Sequence, residues 1–539
     1  MKMKKLYLSL FILAFSMWTF AQDWNNVTKI VAHDTAYEAQ FGSAVAIDSN
    51  YAIVGAWFED TDENGEYTLS SAGAAYLFER NENDQWVQVQ KIVASDRQTI
   101  ACFGVSVSIC GNYAIVGADQ STQMDAEGGA VYRSGSAYIF KREETTGIWV
   151  EQRKILAADR TAYTNFGFSV SIHDDFALVG AFYDDEDTIE GNAIPEAGSA
   201  YVFEKSGNNE WNQVKKLVAP DRDAGAMFGV AVSIHYGNVL VGAWQDSKDV
   251  NGENDVYDAG SAYFYHKNES GYWQFQQKVV ASDRTTWDNF GAYLSIFENT
   301  AIVGAYNKEL DGNDTLHSAG SAYIFEKIVD GNWEEVQILV ASDRAEGDMF
   351  GSAISINNNL ALVGAFASNI IIEEDTLIDA GAAYLFERNG NGNWNQTKKF
   401  VSIDGDYRGE FGNAVAVNAD HLIIGAWRED EFSDDGKFFL EAGSVYIYKK
   451  GPSGFEETSP DFFIKAYPNP THEDITIDLG KIYPELQLTI RNIHGQLILT
   501  KQMKAVQYCN IKLSGNPGLY FAEIRTSNEK PKILKVLKE

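Results

Sequence analysis

Cysteine is nearly absent, with three residues in a chain of 539, too few for a disulfide scaffold. Cys102 and Cys110 flank one expected strand. At ~3.3 Å per residue they would stand roughly 26 Å apart, far beyond disulfide reach. Stability must therefore come from a packed core. Proline is scarce too, 9 residues against 46 glycines, which points to many tight turns. Positive charge is in deficit: 43 Lys and Arg face 76 Asp and Glu, a net charge of −33. That balance excludes nucleic acid, whose phosphates need cationic partners, and it excludes docking on anionic lipid. It suits solubility outside the cell and an affinity for divalent cations. Helical periodicity is missing throughout, and no hydrophobic run after the first 21 residues is long enough to span a membrane.

The one long apolar run is Leu6 to Phe20, behind the positive Lys2, Lys4 and Lys5. It ends at Thr19-Phe20-Ala21, with the small residue that a signal peptidase accepts. Residues 1–21 are therefore expected to be a secretory signal, with a mature chain starting at Gln22. The run is shorter than the ~20 residues a spanning helix needs, and polar Asp23-Trp24-Asn25-Asn26 follows at once.

Self-similarity is the dominant feature that is present. Phe-Gly recurs at Phe41, Phe103, Phe166, Phe228, Phe290, Phe350 and Phe411, at spacings of 62, 63, 62, 62, 60 and 61 residues. Each copy is followed by Val/Ile-Gly-Ala, with its glycine at Gly55, Gly117, Gly180, Gly242, Gly304, Gly364 and Gly425. Next comes Ala/Ser-Gly-x-Ala/Val-Tyr, ending at Tyr76, Tyr138, Tyr201, Tyr263, Tyr323, Tyr384 and Tyr446, and then a Trp leading into a Lys-Ile-Val-Ala-like run. Each signature lies in a short run of Val, Ile, Tyr and Phe bounded by turn residues, which reads as a strand. In the first unit these are A (Phe41 to Ile47), B (Ala52 to Ala56), C (Gly73 to Arg80) and D (Trp86 to Ala94). Four strands repeated seven times predict an all-β, seven-bladed propeller, with the small-residue strand A innermost. The seventh unit lacks its Trp-led strand and runs into Gly451-Pro452-Ser453-Gly454, whereas an extra one stands at the front, Trp24 to Ala32. The N-terminal strand should therefore complete the last blade and close the ring, leaving no long free edge.

The Phe-Gly and Gly-Ala pair in a β unit of this length resembles the FG-GAP repeat of integrin α-subunits and bacterial surface proteins, over residues 22–450. The resemblance implies adhesion or ligand binding. In integrins the Ca²⁺ loop joins the Phe-Gly strand to the Gly-Ala strand, and here that connection is too short to wrap a cation. Residues 451–460 read as a linker, and in 461–539 the charge reverses, with eleven Lys and Arg against eight Asp and Glu. Tyr467-Pro468-Asn469-Pro470, alternating strands at Ile475 to Leu479 and Leu486 to Ile493, and Gly518-Leu519-Tyr520-Phe521 follow. This segment resembles the C-terminal sorting domain of type IX secretion, a small β-sandwich read by the outer-membrane exporter. It implies that machinery as a partner, and a protein secreted from a bacterium or held on its outer surface.

Residues present in every unit are read as structural. The Asp-Arg pairs after strand D (Asp96-Arg97, Asp159-Arg160, Asp221-Arg222, Asp283-Arg284, Asp343-Arg344) are expected to supply a turn-capping Asp and an Arg tying adjacent blades. The long B–C loops share one face with the D–A loops, and irregular loops on a rigid scaffold are where binding resides. There the residue after Gly-Ala is aromatic in six units, Trp57, Phe182, Trp244, Tyr306, Phe366 and Trp427, with Asp119 in the seventh. These six are candidate sugar-stacking residues or inter-blade packing; Tyr163, Trp287 and Tyr407 in D–A loops could extend a platform. Asp60-x-Asp62-x-Asn64-Gly65 alternates oxygen ligands before a turn glycine, as a Ca²⁺ loop does. Asn307-x-Glu309-x-Asp311-Gly312 and Asp249-x-Asn251-Gly252 echo it, although no bidentate acid stands at the twelfth position, where Ser71 falls. Ca²⁺ is thus the one candidate cofactor. No nucleophile, zinc or phosphate-loop motif occurs, and His173 and His235 are read as surface or turn residues. The expected function is non-catalytic binding of an extracellular protein or glycan. A lectin-like propeller is the first alternative, and a hydrolase using a carboxylate pair is the second.

Overall fold

The computed structural model describes residues 24, 26–188, 192–207, 210–309, 316–372, 375–403, 406–432, 437–451, 465–467, 471, 474–492, 497–514, 518–526 and 532–538. The signal segment 1–21 and nearly all of the 451–460 linker lie outside them. Contacts divide the chain into two units, one of which is Trp24–Gly451. In that unit each repeat makes one four-stranded antiparallel sheet. In the first, strand A is Ala44–Asp48, B is Tyr51–Ala56, C is Ala74–Arg80 and D is Trp86–Ile92, paired in that order. The alternation of A, the continuous apolar run of B and C, and the half-exposed alternation of D set how deeply each strand is buried. Five further sheets repeat this order. The seventh takes Val415–Val417, His421–Ala426 and Ser444–Lys449 from its own repeat, and its outer strand is Asn26–Ile30. Each inner strand packs beside the next, and the seventh packs beside the first. The result is a seven-bladed β-propeller closed by its N-terminal strand.

The core lies between blades. Ile53 and Leu77 of the first blade pack on Val116, Tyr138 and Trp149 of the second. Ala52, Val54 and Tyr76 close the ring against Ile423, Val445 and Ile447 of the seventh. In the second blade, the Phe103 ring meets Tyr138 edge-on, 5.4 Å between centroids. Burying one such side chain contributes ~1.5–3 kcal/mol.

The glycines of the repeat meet at each seam. Gly73 of the first blade bridges to Phe103 of the second with φ +83°, and a Cβ there would lie 2.0 Å from the Phe103 carbonyl oxygen. At the closing seam, Gly443 (φ +83°) would place a Cβ 2.1 Å from the Phe41 oxygen. Only glycine permits that approach. Strand A serines provide a second tie, since Ser108, Ser171, Ser233, Ser295 and Ser355 each accept a backbone N–H from the next inner strand. Small residues there do more than relieve crowding.

The Asp-Arg pairs act the other way round from the expected arrangement. It is the Asp that ties blades together. Asp221 accepts Lys278 Nζ at 2.6 Å and the Tyr263 hydroxyl at 3.0 Å, both from the next blade. The Arg instead clamps the B–C loop of its own blade. Arg284 donates to the carbonyls of Asn254 (3.1 Å) and Ser247 (2.6 Å), as Arg97 does to Tyr67 and Asp60. The planar fork of a guanidinium suits two carbonyls on one loop, and the short Asp reaches only the adjoining strand ends.

The other unit includes residues 452–539. Its strands are Lys465–Tyr467, Asp474–Asn492, Leu497–Lys512, Gly518–Thr526 and Lys532–Lys538. The two longest pair with each other through a register break between Asp478 and Tyr483. Ile475, Ile477, Leu488, Ile490, Ala522 and Val536 form its core. Among the described residues of the whole chain, no helix is long and apolar enough to cross a membrane.

Candidate functional site

At the end of strand B the chain leaves the sheet at the small Gly-Ala pair, so the next side chain turns toward the axis. All six candidate aromatics, Trp57, Phe182, Trp244, Tyr306, Phe366 and Trp427, line one axial cavity of about 700 Å³ together with the first residues of the inner strands. The wall below them is Val45, Val107, Val170, Val232, Leu294 and Val415, interrupted by Ser43, Ser106 and Ser169. Phe182 is buried, and the other five are half-buried around the opening. Neighbours on the collar approach each other: Trp427 and Trp57 at 5.9 Å, Trp244 and Tyr306 nearly parallel at 6.3 Å.

The indoles are fixed by the residue that precedes Phe-Gly in the same repeat. Trp57 Nε1 donates to Gln40 Oε1 at 2.7 Å, Trp427 Nε1 to Glu410 Oε2 at 2.7 Å, and Trp244 Nε1 to Met227 Sδ at 3.0 Å. Those three partners have φ of 56°, 52° and 57°, a left-handed turn into Phe-Gly that aims the side chain under the ring. The tryptophans are therefore held by their edges, and one face of Trp57 is backed by the parallel ring of Phe58 at 4.5 Å.

Asp119 interrupts the collar. It is 2% exposed, accepts Asn165 Nδ2 at 2.8 Å through Oδ2, and its Oδ1 has no hydrogen-bond partner among the described residues. Burial pushes its carboxyl up to about 6, against the pull of Asn165. Tyr163, Trp287 and Tyr407 do not line the cavity. They stand outside it, 60%, 53% and 52% exposed, and Trp287 meets Tyr257 edge-on at 4.7 Å.

The Asp60–Gly65 loop spends its carboxylates on its own backbone. Asp62 Oδ1 accepts the amides of Asn64 (3.0 Å) and Glu66 (2.9 Å), and Asp60 Oδ1 accepts that of Ser71 (2.7 Å). The Glu66 amide leads in holding Asp62 below its ordinary carboxylate range. Asp249 repeats the turn with Asn251 and Glu253. Asn307 donates to Asn289, and Glu309 pairs with His317 at 2.8 Å; Asp311 lies outside the described residues. Three B–C loops are not irregular throughout but carry short ribbons, at Gln123–Met124 with Ala130–Val131, Ile370–Ile372 with Asp375–Leu377, and Glu431–Phe432 with Phe438–Phe439.

Residue patterning alone did not point to the network behind the collar. The third residue after Gly-Ala is buried in every blade, and in four it is an acid: Glu59, Asp184, Asp246 and Glu429. Each meets a strand D lysine: Lys91–Glu59 at 3.0 Å, Lys216–Asp184 at 2.8 Å, Lys278–Asp246 at 2.7 Å and Lys29–Glu429 at 3.2 Å. The fifth blade inverts the pair. Lys308 stands where the acid was, Ile338 where the lysine was, and buried Asp288 supplies the negative charge at 3.0 Å. The acid recurring three residues past Gly-Ala was the sequence signal for this.

This geometry defines a closed β-propeller with an aromatic-collared axial cavity, joined to a small all-β C-terminal unit. The chain belongs to the FG-GAP repeat family, whose model matches residues 24–78, 86–140, 149–203, 211–265, 273–325, 333–386 and 394–448. Each matched unit runs D-A-B-C, so the sequence repeat is offset by one strand from the blade, and that offset is what closes the ring. Residues 465–539 match the secretion system C-terminal sorting domain, which marks the chain for type IX export to the cell surface or the medium. No curated protein matches the chain. Among solved structures it is similar to the crystal structure of the Saccharomyces cerevisiae Sqt1, at 10% identity and a TM-score of 0.37 over 92% of this chain and 100% of that one.

Proposed function

We propose that the propeller is a non-catalytic binding module, exported by its sorting domain, which seats a carbohydrate against the aromatic collar. The observation that carries this reading is the set of edge-anchored tryptophans, Trp57, Trp244 and Trp427, that line one open cavity. A sugar offers apolar C–H faces for such rings and hydroxyls for the few polar groups of the lining, Ser43, Ser106, Ser169 and Asn413. The volume falls within the ~300–1,000 Å³ typical of ligand sites. A glycosidase needs two carboxylates about 5–9.5 Å apart across the substrate. Glu410 is the one acid among the described lining residues, and its two oxygens are engaged by Trp427 and by Arg428 at 2.9 Å. That supports binding over hydrolysis.

Glycan-array screening of the full chain, followed by calorimetry on a hit, tests the proposal. Trp57→Ala and Trp427→Ala should each weaken binding by a few-fold to about 10-fold, the worth of one stacking contact. Unchanged affinity in both variants, or no glycan bound at all, overturns it. The exposed pairs Tyr257 with Trp287 and Tyr132 with Tyr163 favour a second reading, a macromolecular partner lying across the same face. Tyr257→Ala with Trp287→Ala would then be the variant that loses binding.

A further inference from the structure

At the face opposite the collar, the inner strands end in a ring of unlike residues. Cys110 closes strand A of the second blade, His173 that of the third and His235 that of the fourth. Cys110 Sγ, one ring nitrogen of His173 and a carboxylate oxygen of Asp174 all lie within 4.8 Å of one another. His173 Nδ1 is 3.5 Å from Asp174 Oδ2. We propose that Cys110, His173 and Asp174 form a binding site for a borderline-soft divalent cation of the Zn²⁺ class, which staples the second blade to the third at the axis.

The chemistry of the donors carries the assignment. One sulfur, one imidazole nitrogen and one carboxylate oxygen are a mixed set that Zn²⁺ accepts, whereas Ca²⁺ and Mg²⁺ take oxygen alone. Zinc sits about 2.3 Å from sulfur and about 2.0 Å from nitrogen and oxygen, so three donors within 4.8 Å need only side-chain rotation to converge. Asp174 is exposed and sits in the two-residue turn after His173, and that leaves its carboxylate free to swing.

The surroundings suit a cation. The Asp174 amide is hydrogen-bonded to Cys110. Asp48, at the end of the first inner strand, adds negative charge beside both Cys110 and His173 while accepting the Gly111 amide at 2.6 Å. His173 is half-buried, and its Nδ1 lies 3.5 Å from the Tyr236 amide. His235 lies 4.2 Å from His173 between ring centroids, and its Nδ1 accepts the Glu298 amide at 3.0 Å. That fixes the proton on Nε2 and leaves His235 packed against the His173 ring without ligating. With three protein ligands, one coordination position is left for water.

The test is titration of the reduced, chelator-stripped full chain with Co²⁺, followed by displacement with Zn²⁺. One equivalent should give a thiolate-to-cobalt charge-transfer band with tetrahedral visible bands, and Zn²⁺ should abolish both. Cys110→Ser should remove the charge-transfer band. His173→Ala should weaken Zn²⁺ binding by more than the ~10–100-fold that a lost second-shell partner costs. The double variant Cys102→Ser, Cys509→Ser should keep the band, since both those thiols are buried elsewhere. Melts in chelator establish that each variant is folded. Absence of the band in the unmodified chain, its survival in Cys110→Ser, or its loss in the Cys102/Cys509 variant overturns the proposal.

Discussion

Lys29→Met is the sharpest test of how the ring is closed. Lys29 lies on the N-terminal strand, opposite Tyr446 in register, and reaches Glu429 at 3.2 Å and Glu431 at 2.6 Å. The Glu429 side chain is fully buried, held also by the hydroxyls of Ser444 and Tyr446 at 2.7 Å. Removing the cation leaves a desolvated carboxylate among neutral donors, which costs ~3–5 kcal/mol when one partner of a buried pair is lost. At ~1.4 kcal/mol per decade, that is a two- to four-decade fall in the folding constant. Lys154→Met is the internal control. Its acid Asp96 is 44% exposed and its buried neighbour, Gln123, is neutral, so screening by solvent leaves ~0–1 kcal/mol at stake. Urea unfolding monitored by tryptophan fluorescence reads both, with hydrogen exchange on Asn26–Ile30 reporting whether the closing strand opens first. Adding Glu429→Gln to Lys29→Met should restore part of the loss, because the fully buried charge is then gone while Glu431, 12% exposed, still lacks its cation. The reasoning fails if the two lysine variants cost the same, or if the double variant is no better than the single one.

Other outcomes follow from single sites. Asp119, with a folded value of about 6 against ~3.9 in the unfolded chain, holds its proton more tightly when folded. Its contribution is therefore most favourable below pH 4 and declines as pH rises through 6; Asp119→Asn should remove that decline and stabilise the protein by up to ~3 kcal/mol at pH 7–8. Parallel pH–stability curves for the two proteins would refute this. Gly443→Ala should cost about 2–4 kcal/mol by denaturant midpoint, from its left-handed φ and its collision with Phe41, whereas Gly65→Ala, with nothing within 4 Å, should cost only the ~1 kcal/mol of backbone strain. Ca²⁺ against chelator should move the melting midpoint little, since Asp60 and Asp62 already accept backbone amides. A large rise abolished by Asp62→Ala would make that loop a metal site.

The fold was legible in the sequence because seven copies of one unit average out local accident. Phe41, Gly55, Gly73 and Tyr76 recur because each seam needs the same backbone approach and the same edge-on rings, and the displaced Trp24 strand could be found by counting. The strand limits shifted by only a few residues: Ala44–Asp48 begins after Phe41, whose amide bonds to Ala442 of the neighbouring blade at 2.9 Å rather than within the sheet. The aromatic positions of the collar were visible, but not their direction, since a residue at a strand end can turn to the axis or to the next blade. The three tryptophans are fixed there by Gln40, Met227 and Glu410, whose types share nothing in a sequence pattern. The partners of the Asp-Arg pairs were misassigned for a similar reason. Sequence order places Arg97 beside Asp96, but a chain turning sharply after strand D sends the two side chains to different blades.

A ring of equal units binds nothing in particular, so specificity must enter where the sevenfold pattern is broken. The breaks are few, and they fall at the two ends of the axis and in the shell between. At one end, Asp119 replaces an aromatic and stays buried outside the cavity lining, so the collar carries six rings at seven positions and is broken beside Trp57. In the shell, the Lys308–Asp288 exchange retains a buried ion pair while moving its acid from the loop after strand B to the loop before strand A. Its polarity is reversed without loss of compensation, as a structural pair tolerates and a catalytic one would not. At the other end, Cys110, His173 and His235 replace the aspartate, phenylalanine or asparagine that end other inner strands at Asp48, Phe297 and Asn357, and the Asn418 that follows the seventh. Two neighbouring departures, Cys110 and His173, on strands held in register by the serine belt, stand with Asp174 within 4.8 Å of one another, which a cation site uses and blade packing alone does not need.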